Sequence, residues 1–172
     1  DVYKRQTYDT PWQAFAMNEY VIRYTGSMLD RAEALVELGR LDEAENIINA
    51  IRQRAANSIE KHIDYAANQC EIALYPKNYF ASKNVARECV RRERRLELGM
   101  EHERFFDLRR WGVASKTLNA YFKRESQASY EGQNYAQYYK DAHFTPQKNE
   151  FFPIPYNQLY YIPGLYMQNR GY

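Results

Sequence analysis

At 172 residues with 45% hydrophobic content, the chain has enough apolar material for one modest core. Its formal net charge of +2 gives no field that would draw nucleic acid or an anionic membrane across the surface, which excludes a polyanion-binding protein. Aromatic residues reach 16%, with seventeen tyrosines, a side chain that offers sugars, peptides or partner proteins a flat apolar face and a hydroxyl.

In chain order, the first strong element runs from about Val21 to Leu38, with Ile22, Leu29, Ala32 and Val36 on one face and Gly39 as its stop. Asp42 and Glu43 then bring negative charge to the first turn of a second helix, lined on one side by Leu41, Ala44, Ile47, Ile48, Ile51 and Ala55. Together they predict a helical hairpin over 21–56. Its Gly-x-Leu-Asp-Glu-Ala turn is similar to that of a tetratricopeptide unit, and one such unit cannot bury both its faces without neighbours. From Asn57 to Phe80 the periodicity weakens. Ile59, Ile63 and Ala66 hint at a short helix before Tyr75-Pro76 imposes an extended or turn conformation.

A charged helical segment is expected over 83–124. Its first two helices, Lys83 to Leu98 and Glu101 to Trp111, are separated by Gly99 as a left-handed helix stop. Between Lys83 and Arg110, nine Lys or Arg stand against six Asp or Glu, a balance suited to internal pairing rather than to phosphate tracking. Val85, Cys89, Leu96 and Met100 recur at helical spacing and define an apolar stripe on which Glu93 also falls. A carboxylate aimed at the core needs a cationic partner, and Arg104, Arg109 and Arg110 on the second segment are the expected donors. A third helix, from about Ala114 to Arg124, places Leu118, Tyr121 and Phe122 on one side. Cys89 reads as a small buried hydrophobe, and a disulfide to Cys70 is the lesser alternative.

Residues 125–150 carry Ser, Gln, Asn, Gly and Tyr without apolar period, the pattern of a long loop. Tyr130, Tyr135, Tyr138 and Tyr139, among Gln133, Asn134 and Gln137, are candidate ligand contacts. Their rings can stack on pyranose faces while the amides bond hydroxyls. The competing role for the same tyrosines is to pin the loop to the helices.

Catalysis finds little support. Glu93 and Glu97 share a helical face and resemble a glycosidase pair, but arginine pairing is expected to lower their pKa and leave no general acid. There is no Gly-x-Ser-x-Gly motif, and His62, His102 and His143 are scattered without a metal-ligand spacing, so neither an enzyme nor a cofactor or metal protein is expected.

Two motifs carry a family resemblance. Glu93, Arg94, Arg95, Glu97 and Leu98, followed by Arg104, Asp107, Leu108, Arg109, Arg110, Trp111 and Gly112, resemble the ERR-x-EL and R-x-x-DLRRWG signature of the SusD/RagB family. The chain end is similar to the family's closing pattern, with Pro153, Ile154 and Pro155 as its PIP turn and Gln168, Asn169, Gly171 and Tyr172 as QN-x-GY; Ile162-Pro163-Gly164 departs from the Asn-Pro common in relatives. The resemblance starts near Asn18, past the opening DVYKRQ.

What it implies is a mainly α, partial SusD-like fold: residues 1–172 as the C-terminal portion of the domain, a tetratricopeptide-like hairpin with packed C-terminal helices and long loops, and 125–172 as loop and closure. It further implies a non-catalytic lipoprotein on the outer membrane of Bacteroidetes, lipid-anchored through a missing N-terminal part. Such a protein binds oligosaccharides and delivers them to a TonB-dependent SusC-like transporter. The alternative is a tetratricopeptide-type scaffold that grips peptide or protein, including peptide capture by a RagB-like member.

Overall fold

The computed structural model describes residues 21–59, 71–128 and 136–172; the hinted helix positions Ile63 and Ala66, Cys70, and the candidate contacts Tyr130 and Tyr135 lie outside them. Every regular element among the described residues is a helix, and the chain divides into two compact units, Asp1–Leu98 and Gly99–Tyr172.

The first unit holds α1 (Tyr24–Glu37), α2 (Leu41–Ile59) and α3 (Lys83–Glu97). Leu29, Ala32, Leu35 and Val36 bury one face of α1 against Ala44, Ile48 and Ile51 of α2, so the expected hairpin is a packed helix pair. Ile22 departs from the expected face: it precedes the helix and is 83% exposed, while Leu35 takes its place in the core. Gly39 closes α1 with φ +78, a left-handed value that glycine adopts without a Cβ clash. Its N–H and that of Arg40 bond to Val36 O and Leu35 O, satisfying carbonyls the helix end leaves open.

Helix α3 begins at Ser82, whose hydroxyl accepts from the Val85 N–H, and ends with Arg94 and Arg95 in its last turn, where positive charge complements the helix dipole. Its buried face is Ala86, Cys89, Val90, Glu93 and Arg94. The expected stripe was out of phase. Val85, Leu96 and Met100 are exposed, because the short Ala86 and the β-branched Val90 set the packing face and turn the bulkier side chains outward. Cys89 is a free buried thiol whose pKa is raised, first by that burial. Gly99 is not the left-handed stop either; Met100 (φ 67) and His102 (φ 65) hold the left-handed positions instead.

The second unit contains α4 (Glu103–Arg110), α5 (Ala114–Glu125) and two short helices, α6 (Ala136–Tyr139) and α7 (Tyr156–Tyr161). Its core joins Leu108, Ala114 and Phe144 to the partly buried Phe105, Leu118 and Phe122. Asn119 of α5 anchors the passing chain by accepting from Phe144 N–H at 2.8 Å and donating to Phe144 O at 3.0 Å. Tyr121, expected beside Leu118 and Phe122, stays 38% exposed.

Candidate functional site

The charged residues of α3 form a clamp across the first unit's three helices. Glu93 is 5% exposed, and its Oε2 accepts from the Arg52 guanidinium of α2 at 2.9 Å. The sequence argument for a buried, paired carboxylate is met, but with a different donor from the expected Arg104, Arg109 and Arg110. Arg52 lies on the flank of the apolar stripe of α2, next to Ile51, and so reaches the same interior. Arg94, 4% exposed, pairs with Asp30 of α1 at 2.5 Å. Glu97 receives Arg23 at 2.8 Å and Arg54 at 2.6 Å, while Arg95 points outward and is exposed.

Burial, more than pairing, governs Glu93. Desolvation pushes its pKa above the ordinary carboxylate value and Glu97 adds to the rise, while Arg52 opposes both. The expected lowering is therefore reversed. The case against a glycosidase pair now rests on access: a carboxyl 5% exposed and spent on Arg52 offers no sugar a place to react.

In the second unit, Asp107 is 3% exposed and accepts from Arg110 Nε at 3.0 Å. Arg104 and Arg110 approach the Trp111 ring at 5.9 and 5.0 Å, and Arg109 sits 5.5 Å from both Phe105 and Phe151. The motif thus packs guanidinium groups on aromatic faces. Pro153 and Pro155 frame a segment closed by the chain end. Gln168 accepts from Ile154 N–H at 2.8 Å and donates to Ile154 O at 3.0 Å, and Asn169 donates to Phe152 O at 2.6 Å.

Of the candidate ligand contacts, Tyr138 is 71% exposed on α6. Tyr139 is half-buried, stacked on Phe122 at 6.3 Å and edge-on to Tyr121 at 5.7 Å, so it pins α6 to α5. The two phenol oxygens lie 3.5 Å apart, and their hydrogen bond, ahead of burial, pushes the Tyr121 pKa up to about 12.

Three structural anchors escaped the sequence reasoning: Glu45, Asn49 and Arg52, which hold the segment 71–80 against α2. The available signal was their i, i+4, i+7 spacing along the border of the apolar stripe.

Among the described residues no His/Cys/Asp/Glu group is placed to hold a metal ion, and no helix is long and apolar enough to cross a membrane. What the described elements define is a helical scaffold with buried charge pairs and exposed tyrosines. The family model described as the SusD family matches residues 6–172, reaching closer to the N-terminus than the resemblance near Asn18, and the chain belongs to that family. Its members bind nutrients, glycans among them, at the cell surface and are known as non-catalytic binding proteins. A comparison with curated proteins finds no match.

Proposed function

We propose that this protein captures oligosaccharides at the outer face of the outer membrane and passes them, with no bond made or broken, to a SusC-like TonB-dependent transporter. The observation that carries this reading is membership of the SusD family over residues 6–172. Lipid anchoring of the protein belongs to the same proposal. Within it, the hairpin of α1 and α2 acts as a tetratricopeptide-like scaffold, and the ion pairs of α3 hold that scaffold together. Tyr138 offers a ring to a sugar, with Tyr139 and Tyr121 bracing α6 beneath it.

The competing reading is peptide capture, by a RagB-like member or on a helical scaffold, and the packed helix pair is what favours it. A glycan array and a peptide library probed in parallel separate the two. Retention on oligosaccharides alone supports the proposal; retention on peptides alone replaces it.

A further inference from the structure

From Glu71 to Pro76 the main chain runs without a turn or bend, and the proline keeps Tyr75 in the extended region. Side chains of α2 hold this stretch along one edge. Arg52 Nε donates to Ala73 O at 2.7 Å, and Asn49 accepts from Tyr75 N–H at 2.8 Å and donates to Tyr75 O at 3.0 Å. The Asn49 amide thus exchanges with Tyr75 the same two bonds that a residue of a neighbouring β-strand would make. One flank of an extended chain is satisfied by a helix.

The other flank is open. In an extended chain successive residues turn their N–H and C=O groups to opposite edges, so with Ala73 and Tyr75 facing α2 the main-chain groups of Ile72 and Leu74 face away from it. Neither residue makes a hydrogen bond among the described residues, and Leu74 is 45% exposed. The edge is also held in place. Tyr75 lies under the Arg52 guanidinium at 4.8 Å and stacks on Tyr79 at 4.9 Å, while the buried Glu45 accepts from the Asn78 and Phe80 N–H groups just beyond. A partner would therefore have little ordering of this chain to offset.

Alternating main-chain donors and acceptors on a fixed edge are complemented by another extended main chain, and no charge is needed for the match. We propose that the outer edge of 71–76 docks an extended polypeptide segment of a partner, which adds a strand beside Ile72 and Leu74. These two side chains project to one face, so apolar residues at alternate positions of the guest pack beside them. Pro76 has no N–H and ends the edge. This site is independent of the oligosaccharide reading.

The test is selection of a phage-displayed heptapeptide library on the protein, followed by fluorescence titration of the selected peptide. Leu74→Pro removes an N–H that has no inward bond and should weaken affinity by about tenfold or more, whereas Leu74→Ala keeps that N–H and should stay within about threefold of the parent. A scan of N-methylated peptides should show loss at alternate residues only, a pattern that does not depend on any variant folding. Peptide binding should also slow hydrogen exchange at the Leu74 amide. Failure to select any peptide, or N-methylation tolerated at every position, overturns the site. Binding that Leu74→Pro leaves unchanged, with exchange at Leu74 unaltered, overturns it too and places peptide capture elsewhere on the protein. A dimer seen by light scattering and lost in Leu74→Pro would put a second copy on this edge in place of a partner's segment.

Discussion

Arg52 on α2 donates to Glu93 on α3 at 2.9 Å, with the two side chains 17% and 7% exposed, so one ion pair ties the helical hairpin to the charged helix from inside. Removing one member of such a pair leaves the other withdrawn from water without its counter-charge. Glu93→Ala should therefore destabilise the protein by about 3 kcal/mol, and Glu93→Gln, which keeps an acceptor for Arg52, by about 1 kcal/mol. Chemical denaturation of the two variants checks the order. An alanine variant as stable as the parent would mean that the pair contributes nothing.

The raised pKa of Glu93 gives a pH signature of definite sign. Between the ordinary value of 4.5 and the higher folded value, the folded state holds a proton that the unfolded chain has lost. This contribution is present below pH 4.5 and is lost as pH rises through the folded pKa, the reverse of an ordinary salt-bridged carboxylate. The stability gap between parent and Glu93→Gln should thus move in favour of the parent on acidification through that window. Paired melts across the window check this; a gap moving in the opposite direction would show that Arg52, and not burial, dominates.

Asn49 spends both ends of its amide on the main chain of Tyr75, at 2.8 and 3.0 Å. Asn49→Ala should cost about 1–2 kcal/mol and raise hydrogen exchange at the Tyr75 amide, with smaller effects at Asn78 and Phe80, which Glu45 still holds. Unchanged protection at Tyr75 would mean that the segment is held by its ring contacts alone.

At the chain end, Gln168 bonds both main-chain groups of Ile154 and also accepts from Asn169 N–H at 2.9 Å. Gln168→Ala removes all three bonds and should expose the Ile154 and Asn169 amides to exchange, with a local loss of about 1–3 kcal/mol. Gln168→Glu keeps the acceptor and should preserve much of the protection. Equal exchange in both variants would remove the side chain from the closure.

The helical hairpin was legible because Leu29, Ala32 and Val36, then Ala44, Ile48 and Ile51, repeat with the helix period and Gly39 punctuates them. The third helix was legible in extent but not in phase. With nine charged residues from Lys83 to Glu97, the side chains that pack are the short Ala86 and Val90, and hydrophobic size pointed to Val85 and Leu96 instead. The partner of Glu93 was illegible for a different reason: Arg52 and Glu93 are 41 residues apart, and nothing local in a sequence distinguishes that arginine from the others. The loop fastened by Glu45, Asn49 and Arg52 has no period at all; its conformation is set by side chains of another element. As for the aromatic residues, their number hinted at ligand contact, but whether a ring packs, like Tyr139, or stays open, like Tyr79, depends on tertiary neighbours.

Oligosaccharide capture without chemistry is tested most directly by incubating the protein with each sugar class, measuring bound ligand by equilibrium dialysis and its chain length by chromatography. Saturable retention of at least one oligosaccharide, recovered at its original length, is the expected result. Shortened products would make the protein an enzyme, and failure to retain any sugar while a peptide is retained would make it a peptide receptor.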